Sequence, residues 1–250
     1  MLRNGVLPMN HKTREDYRRK RQSFLNALVD VPASNGLELG ACDLPTVQPS
    51  FGRCSFADVH STDTLISMWK LAPKDVAPVR FLIDPRSRLD DQIDERFDYV
   101  VACHVLEHVP NPIGYLEELS RLLRPGGIIM LAIPDKRSTP DTLRPSTSIE
   151  HLLGDHFDGC QYPSVEHIME FAKCWVDEVK AMSTAAAYRW AQSNYRSGQA
   201  DVHCHVWTDE EFFRQIKQLM EDDILSGLRI AATERTPKGY NEFTIALRAA

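Results

Sequence analysis

Five short runs, at residues 36–40, 55–59, 79–84, 98–103 and 127–133, are apolar almost throughout instead of alternating. A strand with one wet face shows alternation, whereas a strand covered on both faces does not. These runs therefore predict a parallel sheet buried on both sides. Helical spacing appears between them. Leu65, Ile66 and Trp69 share a face over 62–71, behind a Ser61/Thr62 cap. Ile113, Leu116, Leu119, Leu122 and Leu123 do so over 112–123, which Arg124-Pro125-Gly126-Gly127 ends. Strand–helix alternation of this kind predicts a Rossmann-like, doubly wound α/β sheet. Two further runs, 228–232 and 242–247, flank turn residues 237–241 and predict an antiparallel hairpin, bringing the sheet to seven strands with the last one antiparallel.

The remaining segments set the domain organisation. Residues 1–34 form an N-terminal tail (1–10) and a helix (13–29), and residues 35–250 form a single catalytic-type domain. Between about 134 and 207 no strong strand appears. Two helices, near 164–177 and 179–194, are expected there as an insertion after strand five, and a capping pattern at Thr208-Asp209-Glu210-Glu211 opens a helix through Met220. The net charge of -6 gives nucleic acid no global pull toward the chain. The basic group Lys12, Arg14, Arg18, Arg19, Lys20 and Arg21 reads as a solvated helix face. Six scattered cysteines without a CxxC pair fit a reduced, cytoplasmic protein, with no signal peptide and no apolar run long enough for a transmembrane helix.

Chemistry enters at the strand ends. Gly40 follows a buried run, where a missing Cβ lets the backbone approach a ligand. Cys42 stands where a dinucleotide fingerprint has its second glycine, which argues against a nicotinamide enzyme. Asp58 and Asp84 close the second and third runs, and a carboxylate at the end of strand two is placed to accept both hydroxyls of a ribose. His104-Val105-Leu106-Glu107-His108 fits a zinc-peptidase string, but it follows directly on a strand and precedes Pro110 and Pro112. The one-face helix that such chemistry requires is therefore lacking.

The run Phe97-Asp98 through Leu106-Glu107-His108, followed by Leu123-Arg124-Pro125-Gly126-Gly127 and preceded by the glycine strand, resembles the class I S-adenosylmethionine-dependent methyltransferases, in particular the small bacterial enzymes. The resemblance implies S-adenosylmethionine as cofactor. It implies Glu38, Gly40 and Ala41 at its methionine end, Asp58 on the ribose, Ile83 and Asp84 by the adenine, and Cys103 and His104 near the sulfonium. The strings from Pro134-Asp135-Lys136-Arg137 to His203-Cys204-His205-Val206-Trp207-Thr208 resemble a subgroup found with polysaccharide and cell-surface glycan biosynthesis.

A sugar hydroxyl needs a base within hydrogen-bond reach. The expected catalytic residues are His151 or His205, with Asp135 orienting or replacing them, and the insertion's arginines and lysine would hold a phosphate on the acceptor. No metal is expected, because His203 and His205 alone of the HCH string share a face. Partners are a small-molecule or glycan acceptor, with room for a homo-oligomer. Two other readings stand beside this one. The first is N- or O-methylation of a small natural-product acceptor in an aromatic pocket built from Trp175, Tyr188, Trp190, Tyr195 and Trp207. The second is a non-catalytic S-adenosylmethionine-binding partner protein.

Overall fold

The computed structural model describes residues 12–198 and 201–250. The expected tail at 1–10 lies outside them. The seven predicted strands form one sheet: β1 (Asn35–Leu39), β2 (Arg53–Asp58), β3 (Val79–Leu82), β4 (Phe97–Cys103), β5 (Leu123–Pro134), β6 (Leu228–Glu234) and β7 (Glu242–Ala249). The order is β3-β2-β1-β4-β5-β7-β6. The first five strands are parallel, and β7 runs antiparallel between β5 and β6. The strand order reverses between β1 and β4, so the carboxyl ends of these two parallel strands open a crevice between them.

Burial on both faces holds for the centre of the sheet. Along β4 and β5, Val100, Ala102, Ile129, Leu131 and Ile133 belong to one core with Leu116 and Leu119 of α3 (Pro112–Arg121). Tyr99, Val101, Ile128 and Met130 face a second core with Leu25 of α1 (Arg14–Asn26). Each such side chain, fully withdrawn from water, contributes about 1.5–3 kcal/mol. The edge strand β3 departs from the expectation. It alternates between half-buried and exposed, and Leu82 is exposed.

The helices are α1, α2 (Thr62–Trp69), α3, α4 (Ile149–Phe157), α5 (Val165–Trp175), α6 (Asp177–Lys180), α7 (Thr184–Ser197) and α8 (Asp209–Glu221). The insertion is richer than expected. It begins with α4, where no helix was foreseen, and the second expected helix is two pieces, α6 and α7. Ser148 caps α4 by accepting the His151 N–H at 3.2 Å. The insertion has a core of its own, with Ile168, Phe171, Ala191, Val202 and Cys204 buried together.

The basic N-terminal helix is not merely a solvated face. It crosses the carboxyl end of the sheet. Its Tyr17 hydroxyl donates to Asn241 (2.8 Å), Arg18 Nε donates to the Pro45 carbonyl (3.3 Å), and buried Arg21 makes a two-pronged pair with buried Glu242. Burial alone would raise the Glu242 pKa. The Arg21 charge and a hydrogen bond with His104 outweigh it and hold the carboxyl well below its ordinary value.

Two outcomes follow. Gly36 lies against Tyr99, and a Cβ there would sit 2.0 Å from Tyr99 Cζ. Gly36→Ala is therefore expected to destabilise the fold by about 1–3 kcal/mol in chemical denaturation. The depressed Glu242 carboxyl gives its full stabilisation above the unfolded value of 4.5 and loses it as pH falls below that. Denaturation across an acid series should show Glu242→Gln about 3–5 kcal/mol less stable near neutrality, with a shallower acid limb than the native chain.

Candidate active site

The site is built from the loops at the carboxyl end of β1, β2, β3 and β4. The chain leaves β1 through Gly40, whose φ of +65° is left-handed and whose N–H donates to the Ala57 carbonyl at 3.0 Å. A Cβ at Gly40 would lie 2.9 Å from Val105 Cγ2, so the glycine also lets the β1 and β4 loops approach each other. Ala41 continues this loop and accepts the Leu44 N–H through its carbonyl. Cys42, at the position of the missing fingerprint glycine, adopts φ +46° itself, and its carbonyl accepts the Ala77 N–H at 2.8 Å. The loop thus makes its second left-handed turn without glycine.

Glu38 does not reach the open site. It is buried, and its carboxylate accepts the Thr46 N–H (2.7 Å) and the Val47 N–H (3.1 Å), bracing the far end of the same loop. Burial raises its pKa, against those two hydrogen bonds. It positions the loop that carries Gly40 and Ala41.

Asp58 ends β2 half-buried, with Oδ1 accepting the His60 N–H at 2.9 Å and burial raising its pKa. The residue after it, Val59, lines a cleft of about 190 Å³ together with Ile83, Asp84, Val105, Pro110 and Asn111. These walls suit a flat heterocycle: mostly apolar faces, a carboxylate at the rim, and the ribose-type acid one residue away. The insertion reaches the same cleft through Cys160 and Gln161.

Beyond β4, Cys103 is packed against Thr46 Oγ1 (3.5 Å), and burial pushes its thiol up to about 11. His104 has φ +55°, uncommon for a residue with a side chain, and follows Cys103 directly at the end of the strand. Its ring is one-third exposed. Nε2 lies 2.9 Å from Glu242 Oε2 and Nδ1 lies 3.7 Å from Glu107 Oε1. Glu107 is buried, and neither carboxylate oxygen has a hydrogen-bond partner. The Leu106–His108 turn is a single 3-10 turn, so the peptidase-like string has no helix to stand on.

The insertion residues expected to act on the acceptor fare differently. Asp135 is fully buried, and its carboxylate accepts from Arg137 Nε (2.8 Å), the Arg137 N–H and the Thr236 hydroxyl (2.7 Å). Burial opposes ionisation, but Arg137 and Thr236 outweigh it and lower its pKa. That carboxylate is occupied by structural bonds and is not placed to take a proton. His205 is also fully buried, and its Nε2 lies 3.1 Å from the Pro110 carbonyl. Burial lowers its pKa to about 3, so it is a poor base. His151 retains partial exposure, and its pKa is raised by Asp155, 3.1 Å away.

The arginines expected to hold a phosphate are used internally. Arg137 pairs with Asp135 and Asp209. Arg144 is buried against Asp141 (3.0 Å) and the His203 and Cys204 carbonyls. The aromatic residues do not form one pocket either. Trp175 stacks on Phe171, Trp207 is fully buried against Phe212, and Trp190 packs within the insertion, while Tyr188 and Tyr195 are exposed. Sequence reasoning missed Glu242, Arg21 and Asp155. Only the acidic residue opening the last strand was visible beforehand, and nothing local marked it as a partner of His104.

A methyltransferase domain family matches residues 9–222 of this chain. No curated protein sequence matches it. Among solved structures, a candidate Zn-dependent alcohol dehydrogenase from Rhodobacter sphaeroides superposes with a TM-score of 0.53 at 14% identity, covering 93% of this chain and 90% of that one. An S-adenosylmethionine-dependent methyltransferase from Clostridium acetobutylicum gives 0.51 at 10% identity, with 98% and 95% covered. The CurJ carbon methyltransferase gives 0.49 at 17% identity, and this chain spans 93% of itself but 54% of that protein. These likenesses speak to fold alone. The match over residues 9–222, on this seven-stranded sheet, shows that the chain belongs to the methyltransferase domain family and is a class I S-adenosylmethionine-dependent methyltransferase.

Proposed function

We propose that this methyltransferase acts on a hydroxyl of a sugar- or glycan-type acceptor, and that His104, held by Glu242, takes the acceptor's proton. The observation that carries the reading is the 2.9 Å contact between His104 Nε2 and the buried Glu242 carboxylate, at the strand end beside the glycine loop. When bound, S-adenosylmethionine supplies an electrophilic methyl on a sulfonium. The chain's own work is to seat the cofactor, align the acceptor and remove its proton.

The seat is the Gly40–Ala41 loop for the methionine end, Asp58 for the ribose, and the cleft with Ile83 and Asp84 for the adenine. Of the sequence-derived residues at the end of β4, His104 has a partly exposed ring. With Nε2–H donating to Glu242, Nδ1 is the basic nitrogen. Glu242 Oε2 lies 2.9 Å from Nε2, and Glu107 Oε1 lies 3.7 Å from Nδ1. This is the orienting-acid logic of hydrolase triads, applied to a hydroxyl that attacks carbon. It replaces the expected roles of His151, His205 and Asp135 as base.

What supports a hydroxylated acceptor over an aromatic one is that the insertion's aromatic residues do not form one pocket. The insertion's tryptophans are spent on its own packing. The resemblance to the glycan-associated subgroup points the same way, toward a cytoplasmic step of polysaccharide assembly. No helix among the described residues is long and apolar enough to cross a membrane.

Two measurements test this. His104→Asn and Glu242→Gln should lower kcat by about 10²–10⁴, with S-adenosylhomocysteine affinity within a few-fold of native. Unchanged kcat in His104→Asn would remove it as the base. Separately, Asp58→Ala should weaken S-adenosylhomocysteine binding about 10–100-fold in calorimetric titration, as expected for losing hydrogen bonds to a charged group.

A further inference from the structure

The insertion gathers His151, Asp155, His167 and His205 so that one ligand atom from each lies within 4.8 Å of the others. The sequence reading expected no metal. His151 and Asp155 stand one turn apart on α4, His167 sits in the first turn of α5, and His205 comes from the extended segment before Trp207. Three pieces of chain far apart in sequence converge on one point.

The distances have the scale of a coordination sphere. His151 Nε2 and His167 Nε2 are 2.8 Å apart, and Asp155 Oδ2 is 3.1 Å from the first and 3.5 Å from the second. His205 Nε2 is 3.6 Å from the same oxygen. Ligand atoms about 2.0–2.2 Å from a common cation are separated by about 3.0–3.5 Å in octahedral or tetrahedral arrangements. The rings are disposed accordingly: His151 and His167 are parallel within 2°, and His205 is turned about them by 73° and 71°.

Protons alone do not satisfy this group. The Ser164 N–H points at His167 Nδ1 (3.2 Å), which places the neutral ring's proton on Nε2. Both Nε2 atoms, 2.8 Å apart, have the single Asp155 oxygen as their shared carboxylate neighbour. Asp155 Oδ2 is buried and shared between His151 Nε2 and His167 Nε2, and the fully buried His205 has no partner at Nδ1. A cation gives these lone pairs a common partner. Ligation by His167 would move its proton to Nδ1 and release the Ser164 N–H, leaving the α5 cap to the Ser164 hydroxyl and the His167 N–H (3.1 Å).

We infer that this group binds one divalent first-row transition ion, zinc being the simplest occupant, through His151, Asp155 and His167 with His205 as fourth ligand. Imidazole-rich sets with one carboxylate favour such ions over magnesium or calcium. The ion would fasten α4 and α5 to the segment before Trp207. Ligation through His205 Nε2 would replace its 3.1 Å hydrogen bond to the Pro110 carbonyl, which lies in the loop lining the cleft. The role is distinct from proton transfer at His104, so either reading can fail alone.

The test uses the untagged full-length chain, stripped by a chelator and dialysed, then titrated with Zn²⁺ followed by calorimetry and with Co²⁺ followed by visible absorption. One ion per chain is expected, with a rise in the thermal midpoint and the d–d bands of a nitrogen- and oxygen-bound cobalt. Asp155→Asn and His167→Gln should each weaken zinc binding about 100-fold or more, with folding checked by circular dichroism. His203→Gln, in the neighbouring Glu107–His108–His203 group, should leave it intact. The inference is overturned if the native chain retains no zinc, if binding survives Asp155→Asn and His167→Gln, or if His203→Gln abolishes it.

Discussion

The buried pair of Arg21 and Glu242 couples the parts of this enzyme that matter most. Glu242 opens β7, the antiparallel strand wedged beside β5, and is fully buried. A lone carboxylate there would be strongly unfavourable, and its neutralisation requires α1 to lie across the sheet. The same carboxylate takes the His104 ring. One negative charge thus fixes the first helix, the end of the central strand and the start of the last strand relative to one another. The left-handed backbone at His104 is held by that arrangement, in keeping with strain being retained where the surroundings over-determine it.

Around this pair the work divides in space. The β1–β4 crevice, the braced glycine loop and the cleft beside Asp84 lie together at the carboxyl end of the sheet. The insertion is a separately cored layer whose charged residues chiefly hold its own shape: Asp135 with Arg137 and Thr236, and Asp141 with Arg144 and His203. Burial opposes ionisation of Asp141, yet the hydrogen bond with His203 and the Arg144 charge hold its pKa at about 2. A residue so firmly charged and paired organises a loop; it does not exchange protons with a substrate near neutral pH.

The sheet was legible because its signals are local. Doubly buried strands lose alternation, strand-end acids follow them directly, and glycines mark the turns. Helix α4 was not legible. It is nine residues long and carries Gly154 along with two histidines and an aspartate, so propensity gave it no advantage over a loop. Burial of His205 and Asp135 depends on tertiary packing that no short pattern reveals. The partnership of Arg21 with Glu242 spans 221 positions, and that of His104 with Glu242 spans 138. Such contacts become visible only once β7 is placed next to β5.

The most direct measurement is a crystal structure with S-adenosylhomocysteine. The account predicts its adenine in the cleft beside Ile83 and Asp84, its ribose on Asp58, and its sulfur at the Gly40 loop facing the His104 ring. A sulfur turned away from His104, toward His151 and the interior of the insertion, would contradict it.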